Sequence, residues 1–284
     1  MDYIKNIIRM SVAWFTFPLS TWWGSRKLTK QIKKNDREQD PNLFPFDERW
    51  KYLRKKSKGI LKRSGIKVEV DGLENIPKGG AWITPNHTSN LDGLYLVVGL
   101  GGKCQLVPVA KDVLKESKMF KGYFIGSDTM FLDRRSLRQN LNILNGAAQY
   151  SKEKKRSVVI FPEGTRSLTG ELLDFKNGLF KFPQKYFLPI VPITILGTLQ
   201  ARNFLSLKTR VVKIIVSKPI KPIIHSKMPT DILGKRIKDI ISTNISNYEK
   251  SLSKKELLKL EKIKEKSVAK QKRKNVNLKK ELNR

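Results

Sequence analysis

The sequence predicts an α/β fold, in which a mostly buried mixed sheet is flanked by helices. Short apolar runs alternate with helical patterns from about residue 66 onward. These runs are continuously apolar, as is typical of strands that are covered on both faces. With 284 residues, of which 39% are hydrophobic, the chain can bury one large core or two modest ones. We therefore expect one main domain with appendages.

The predicted strands and helices follow one another closely along the main domain. Seven segments have the length and composition of strands, and two have the spacing of helices. The predicted strands are "KVEV", "GGAWIT", "CQLVPVA", "TMFLD", "SVVIFP", "LPIVPITIL" and "RVVKIIVSKPI". The predicted helices are "NLDGLYLVVGL" and "RRSLRQNLNILNGAAQYSKEKK". The chain becomes helical again after about residue 229.

The N-terminal segment "MDYIKNIIRMSVAWFTFPLSTWWG" has the pattern of an amphipathic helix. Apolar residues recur at helical spacing, basic residues lie among them, and tryptophans add amphipathic rings. The apolar positions are Ile4, Ile7, Ile8, Val12, Phe15 and Leu19. We expect this helix to lie in a membrane interface. An ordinary helix docked on the core is the alternative, and Pro18 argues against a signal peptide.

A second amphipathic pattern occurs in "DERWKYLRKKSKGILKR". Its apolar side chains are expected to seat on lipid while its lysines meet headgroups, although the segment fits a solvated helix equally well. The apolar positions are Trp50, Leu53, Ile60 and Leu61.

The composition requires an anionic partner. Lys and Arg number 58 against 25 Asp and Glu, which gives a formal net charge of +33. Nucleic acid, an anionic membrane surface and a phosphorylated substrate all fit such a charge. From Glu249 onward the chain has 14 Lys and Arg against 5 Glu, as in a solvated or disordered tail. No uninterrupted apolar run is long enough to predict a membrane-spanning helix.

The first candidate for chemistry is "ITPNHTSNLD", which contains His87 and Asp92. Residues five apart on one helix do not meet, so these side chains converge only if a helix begins between them. Ser89 and Asp92 match a capping box, which predicts such a start. Asp92 then either orients His87 as a proton acceptor or only caps the helix.

The second candidate is the turn in "VVIFPEGTRS". Gly164 permits a close backbone approach, and the planar fork of Arg166 suits phosphate. Glu163 is able to hold that fork or a substrate hydroxyl. A surface turn with a salt bridge is the alternative. Three further stretches are "GSDTMFLDRRS", "DFKNGLF" and "LPIVPITIL".

Taken in this order, the five stretches resemble the glycerolipid acyltransferases, most closely the 1-acyl-glycerol-3-phosphate (lysophosphatidate) acyltransferases. The resemblance rests on "NHTSNLD", "GSDTMFLDR", "FPEGTR" and "VPI", and it covers about residues 66 to 222. The usual first motif of this family has Gln where this chain has Thr88. Together with the patterns at the two ends of the chain, the resemblance leads us to expect membrane-interface helices (1–60), an acyltransferase domain (61–240) and a basic, helical or disordered tail (241–284).

The resemblance also implies roles for named residues. His87 acts as general base on the free hydroxyl of a lysophosphatidate, oriented by Asp92, and the acyl group comes from acyl-CoA or acyl carrier protein. No covalent acyl-enzyme, bound cofactor or metal is implied. The implied substrate-binding residues are Lys111, Arg134, Glu163, Gly164, Thr165, Arg166 and Lys176. From the amphipathic N-terminal pattern, the net charge and the single cysteine, we expect the protein at the cytoplasmic face of a membrane, with a peripheral or monotopic attachment to its anionic surface.

Other functions compete with this interpretation. Within the family, glycerol 3-phosphate and other lysophospholipids are alternative acceptors. A basic nucleic-acid-binding protein is a remote alternative, since the sequence has no recognisable ribonucleoprotein, helix-turn-helix or zinc signature. His87, His225 and Cys104 also lack metal-site spacing. We expect His225 to be structural or exposed, and the single Cys104 to be a buried small residue.

Overall fold

The computed structural model describes residues 22–23, 25–34, 44–117, 120–133, 135–201 and 209–282. Within these residues the protein forms one seven-stranded sheet with helices on both faces. The strands are β1 (Ile66–Asp71), β2 (Trp82–Pro85), β3 (Leu106–Lys111), β4 (Met130–Leu132), β5 (Ser157–Val159), β6 (Ile190–Leu196) and β7 (Arg210–Val216). The helices are α1 (Phe46–Arg63), α2 (Asp92–Leu100), α3 (Lys121–Gly126), α4 (Leu137–Lys154), α5 (Lys181–Lys185), α6 (Thr198–Ala201), α7 (Pro222–His225), α8 (Thr230–Ser251) and α9 (Lys254–Leu282).

The strand order is β1-β7-β6-β2-β5-β3-β4. The five strands from β6 to β4 run parallel to one another. β7 is antiparallel to β6, and β1 is parallel to β7, so these two strands run the opposite way. The predicted mixed sheet flanked by helices is therefore confirmed, and all seven predicted strand segments contain a strand.

Two apolar cores lie on opposite faces of the sheet. Successive side chains of a strand point to opposite faces, so Trp82 joins one core while Ile83 joins the other. Helices α1 and α2 cover the Ile83 face, whereas α4 and α8 cover the Trp82 face. Every residue of β6 is buried, which explains its uninterrupted apolar run.

Helix α1 packs against the protein rather than a membrane. Its four apolar positions, predicted to seat on lipid, are all buried in the core that contains α2. The indole nitrogen of Trp50 donates a hydrogen bond to the carbonyl oxygen of Gly101 at 3.0 Å. The prediction that Trp50, Leu53, Ile60 and Leu61 contact lipid is therefore wrong, because a protein surface satisfies the same apolar stripe.

The segments at the two ends are helical where the structure describes them. Residues 25–34 dock on α3, since the Ser25 hydroxyl accepts a hydrogen bond from the Gly122 amide at 2.7 Å. Residues 1–21, which contain most of the predicted interfacial helix, lie outside the described residues, and Trp23 is exposed. Helix α9 is anchored through the buried Leu260. No helix within the described ranges has the length and apolar character needed to cross a membrane.

Candidate active site

The predicted site residues gather at one edge of the sheet. Parallel strands end at the same edge, which is where ligands bind in open α/β sheets. His87 follows β2 by two residues, and Glu163 follows the neighbouring β5 by four. Lys111 ends β3, and Asp133 follows β4. The carboxyl ends of these strands therefore place polar residues along one edge of the sheet, which we call the rim.

The carboxylate of Asp92 joins His87 to the start of α2. One oxygen, Oδ2, accepts three hydrogen bonds: from Nδ1 of His87 at 2.7 Å and from the backbone amides of Thr88 and Ser89 at 2.8 Å each. The side chain of Asp92 is fully buried. The two backbone amides show that Oδ2 acts as an acceptor, which assigns the imidazole proton to Nδ1 and leaves the lone pair on Nε2. Asp92 thus both begins α2 and hydrogen-bonds the ring of His87.

The helix start differs in one detail from the predicted capping box. Helix α2 begins at Asp92, with Leu91 at the cap position. Asp92 does return to the Ser89 amide, as a capping box requires. The Ser89 hydroxyl, however, accepts from the Leu91 amide at 3.2 Å and not from that of Asp92. The prediction of Ser89 as cap is therefore wrong, because the chain makes an extra turn before the helix starts.

The ring of His87 is held by stacking as well as by Asp92. It lies against Phe161 with ring centroids 4.0 Å apart and planes 25° from parallel. The side chain of His87 keeps 21% of its surface exposed. Nε2 forms no hydrogen bond with any residue in the described part of the chain. An imidazole nitrogen with an available lone pair thus lies at the rim, in a fixed orientation.

The loop that carries His87 is fastened to its neighbours through backbone groups. The amide of His87 donates to Oε1 of Glu163 at 2.7 Å, and its carbonyl accepts from the Ser167 amide at 2.8 Å. Asn86 exchanges two hydrogen bonds with the backbone of Ile195 in β6, at 3.1 and 2.7 Å. These contacts fix the His87 backbone between β5 and β6.

Glu163 is a buried link between two loops. Oε1 accepts from the His87 amide, and Oε2 accepts from the Leu173 amide at 3.0 Å. Burial raises the pKa of Glu163 to about 7, although both hydrogen bonds oppose that shift. Glu163 forms no ion pair with Arg166 among the described residues. Its role in this structure is therefore to hold the His87 loop, and not to hold the guanidinium fork.

The residues after Glu163 turn outward. Gly164 adopts a positive φ of 65°, a conformation that favours glycine, and Thr165 and Arg166 are exposed. The exposed Lys176 passes beside this turn: its Cγ would lie 3.8 Å from a Cβ placed on Gly164. Its backbone amide also donates to the Pro162 carbonyl at 2.8 Å. The structure thus brings Lys176 next to the Glu163–Arg166 turn.

One further predicted substrate-binding residue, Lys111, is not brought to this turn. Lys111 is half-buried at the end of β3, two strands away from β2. Arg134 lies outside the described residues, so its predicted role is untested.

Sequence reasoning missed several residues that position His87. In the sequence, Phe161 belongs only to a strand pattern, and Asn86 and Ser167 belong only to motifs. The hydroxyl of Thr88 is hydrogen-bonded to that of Thr198, which directly follows β6 and its turn. Thr198 belongs to no recognised motif. Its position shortly after β6, the strand paired with β2, is the one feature of the sequence that indicates a place near His87.

The two remaining candidates for chemistry have structural roles. Burial raises the pKa of the Cys104 thiol to about 12, so it does not form the thiolate that a nucleophile needs. His225 is fully buried, and its Nε2 lies 3.0 Å from the Leu188 carbonyl oxygen. Of the two predicted alternatives for His225, the buried one is observed, whereas Cys104, predicted to be buried, is only partly buried.

Comparisons with known proteins agree with these motifs. The family model described as Acyltransferase matches residues 67–196. The chain is 30% identical to a probable 1-acyl-sn-glycerol-3-phosphate acyltransferase of Mycoplasma pneumoniae over 235 residues, which is 78% of this chain and 87% of the relative. It is 39% identical to the 1-acyl-sn-glycerol-3-phosphate acyltransferase of Saccharomyces cerevisiae over 137 residues, 47% of this chain and 44% of the relative.

A solved structure has the same fold. The crystal structure of the 1-acyl-sn-glycerophosphate acyltransferase PlsC from Thermotoga maritima superimposes with a TM-score of 0.66 and 23% sequence identity. The superposition covers 89% of this chain and all of that one. At this identity the likeness establishes the α/β architecture alone.

Proposed function

Because this chain belongs to the 1-acyl-sn-glycerol-3-phosphate acyltransferase family, we propose that it transfers a fatty acyl group from an acyl thioester to the free sn-2 hydroxyl of 1-acyl-glycerol 3-phosphate. The product is phosphatidic acid, and the second product is the free thiol. The observation that carries this proposal is the 2.7 Å hydrogen bond between His87 and Asp92 at the carboxyl edge of the sheet.

In the proposed reaction, Nε2 of neutral His87 accepts the proton of the acceptor hydroxyl as its oxygen attacks the thioester carbonyl carbon. The tetrahedral intermediate then collapses and the carbon–sulfur bond breaks. The imidazolium donates the proton that it took from the hydroxyl to the leaving thiolate, which regenerates neutral His87. Asp92 stabilises the imidazolium between these two steps. Three donors to one carboxylate oxygen and the complete burial of Asp92 support this role, because they hold the carboxylate in place.

Direct transfer without an acyl-enzyme fits the side chains of the site. Cys104, the single cysteine of the chain, is partly buried away from the rim with a pKa raised to about 12. A positioned base contributes about 10² to 10⁴ to the rate, and the rest comes from orientation of the two substrates. Glu163 acts in this scheme as a positioning residue, because its carboxylate holds the backbone of His87.

Arg166 and Lys176 are proposed to bind the acceptor phosphate. Both are exposed beside the Gly164 turn. This turn directly follows Glu163, whose carboxylate accepts a hydrogen bond from the His87 amide. A guanidinium fork binds phosphate oxygens in pairs, while an ammonium group supplies a point charge. Thr165 and the open backbone of Gly164 complete the proposed acceptor site, with Lys111 and Arg134 as further cations proposed to assist.

The acyl donor is proposed to be acyl-CoA or acyl carrier protein. Both carry the thioester on a phosphopantetheine arm and both are anionic, which suits a chain with a net charge of +33. The same charge supports a peripheral or monotopic position on an anionic membrane at its cytoplasmic face, where the two-tailed product remains.

A comparison of three acceptors, each offered alone, tests the proposed function. The purified full chain is offered lysophosphatidate, glycerol 3-phosphate and lysophosphatidylcholine separately in mixed micelles, each with acyl-CoA and then with acyl carrier protein. We expect transfer to lysophosphatidate with at least one of the donors. Preference for glycerol 3-phosphate or lysophosphatidylcholine would replace the acceptor, and transfer to none of the three would refute the enzyme assignment.

A further inference from the structure

The short helix α6 contacts both loops that form the proposed site. β6, which pairs in parallel with β2, ends at Leu196, and Gly197 then adopts a positive φ of 77°. A Cβ on Gly197 would lie 2.5 Å from the carbonyl oxygen of Val211 in β7, so glycine is required at this turn. The turn starts α6 at Thr198, at the edge of the sheet that also carries His87.

The first contact joins Thr198 to the loop that carries His87. The hydroxyls of Thr88 and Thr198 share a hydrogen bond, and both side chains are buried. Thr88 directly follows His87, and its backbone amide donates to Oδ2 of Asp92 at 2.8 Å. The same oxygen accepts from Nδ1 of His87 at 2.7 Å. The hydroxyl of Thr198 therefore holds the residue whose amide aligns Asp92 with the imidazole ring.

The second contact joins Leu199 to residues 164–173, which we call the acceptor loop because they include Arg166. Gly170 in this loop has a positive φ of 89°, and a Cβ placed on it would lie 2.6 Å from Cδ1 of Leu199. Leu199 is buried. The Gly170 amide donates to the Ser167 hydroxyl at 3.0 Å, which fixes the bend of the loop. Because glycine has no Cβ, the acceptor loop packs directly on α6.

An acceptor that carries its phosphate and its reacting hydroxyl on one glycerol unit needs a fixed distance between the base and the phosphate-binding side chains. The two contacts of α6 are made by adjacent residues, so one short helix connects both parts of the site. We propose that α6 sets this distance, with Thr198 positioning His87 and Leu199 positioning the acceptor loop. The proposal rests on the proposed function for the identity of the acceptor.

The ring tautomers of histidine report the first contact without substrate. The chain has two histidines, and their tautomers are opposite. The proton is on Nδ1 in His87, whereas Nε2 of His225 donates to the Leu188 carbonyl oxygen at 3.0 Å. NMR of the ¹⁵N-histidine-labelled full chain therefore resolves His87, with His225 as an internal reference. We expect Thr198→Val to move the Nδ1 resonance of His87 and to leave those of His225 unchanged.

Two further variants separate the hydroxyl from general packing. Thr198→Ser keeps the hydroxyl and should give the wild-type spectrum. Thr194→Val is the matched control, because Thr194 is a buried threonine of β6 whose hydroxyl accepts from Nδ2 of Asn244 in α8 at 2.9 Å. It should leave the His87 resonances in place.

A wild-type His87 spectrum in the Thr198→Val protein would overturn the proposal. So would an equal change in Thr194→Val or in Thr198→Ser, because the effect would then come from packing. If Thr198→Val does not fold, Thr88→Val removes the same hydrogen bond from its other partner and is judged by the same spectrum.

Gly170→Ala tests the second contact, because the added Cβ meets Leu199. Gly79→Ala is the matched control: Gly79 also has a positive φ, of 102°, but a Cβ there meets nothing within 4 Å. We expect faster amide hydrogen exchange over residues 167–173 in Gly170→Ala, without such a change in Gly79→Ala. Wild-type exchange in Gly170→Ala, or equal acceleration in both variants, would overturn the role of Leu199.

Steady-state kinetics tests the consequence for the reaction. We expect Thr198→Val to lower kcat about three- to tenfold with KM for lysophosphatidate retained, and Gly170→Ala mainly to raise KM. The same change in kcat and KM in both variants would contradict separate positioning of the two loops. If the wild type transfers no acyl group, the proposed function fails, whereas the NMR and exchange measurements still decide whether α6 positions both loops.

Discussion

Oε1 of Glu163 accepts the backbone amide of His87 at 2.7 Å, although 76 residues separate the two in sequence. The other carboxylate oxygen of Glu163 accepts from Leu173, so a buried side chain fastens two loops at once. His87 is therefore fixed twice, by Glu163 through its backbone and by Asp92 through its ring. The proposed chemistry depends on both attachments, and they can be tested separately.

Asp92→Asn tests the attachment of the ring. The oxygen of a neutral amide accepts the three N–H groups that converge on Oδ2 more weakly than a charged carboxylate does, and a neutral side chain no longer stabilises an imidazolium. We expect kcat to fall about 10²-fold or more while the protein remains folded. Steady-state kinetics with circular dichroism as the folding control measures this. Wild-type turnover in a folded Asp92→Asn protein would remove Asp92 from the mechanism.

Glu163→Gln tests the attachment of the backbone through the pH dependence of stability. Burial raises the pKa of Glu163 from its ordinary value of 4.5 to about 7, so the folded state holds the proton more tightly than the unfolded chain does. The stabilising contribution is full below about pH 4.5 and is lost as the pH rises through about 7. Glutamine cannot ionise, so the variant should lose less stability than the wild type across this range.

Urea unfolding at a series of pH values measures the difference between the two proteins. The exposed Glu171 provides the matched control, because Glu171→Gln removes a carboxyl group from the same loop without touching the buried link. A Glu163→Gln variant whose stability tracks that of the wild type at every pH would show that the buried carboxyl group does not ionise in this window.

Arg166→Ala and Lys176→Ala test the proposed phosphate site. A hydrogen bond to a charged group contributes about 1.5–3 kcal/mol, so each variant should raise KM for lysophosphatidate about tenfold or more. The effect on kcat should be smaller. Lys181→Ala removes an exposed charge from α5 and is the control. If KM is the same in all three variants as in the wild type, the phosphate lies elsewhere.

Two glycines give opposite expectations for stability. A Cβ at Gly122 would overlap the backbone carbonyl oxygen of Ser25, so Gly122→Ala should destabilise the protein by about 1–3 kcal/mol and loosen residues 25–34.

At Gly146, inside α4, a Cβ meets nothing within 4 Å. Gly146→Ala should therefore stabilise the protein by about 0.5–1 kcal/mol. Thermal unfolding measures both, and a stable Gly122→Ala protein would contradict the described docking.

Local patterns predicted the layers of this fold well, because burial on both faces leaves a continuous apolar run, as in β6. The same patterns misplaced α1. An apolar stripe that includes Trp50 and Leu53 is equally suited to lipid and to protein, and only the position of α2 decides between them. The spacing of apolar residues within one helix does not indicate whether that helix packs against lipid or against another part of the protein.

The candidate site shows a similar division. The spacing of His87 and Asp92, with a helix start between them, is a local property and was predicted. The contacts of His87 with Glu163 and Phe161, and that of Thr88 with Thr198, join distant segments. They depend on β5 and β6 flanking β2, and the strand order cannot be read from the composition of any single strand.

The central claim is that Nε2 of His87 is the base that activates the acceptor hydroxyl. The most direct measurement is kcat/KM for lysophosphatidate with the His87→Ala protein, after circular dichroism and thermal unfolding have shown that it is folded. We expect a loss of about 10² to 10⁴ in this protein, with the affinity for lysophosphatidate retained. A folded His87→Ala protein that transfers acyl groups at the wild-type rate would contradict it.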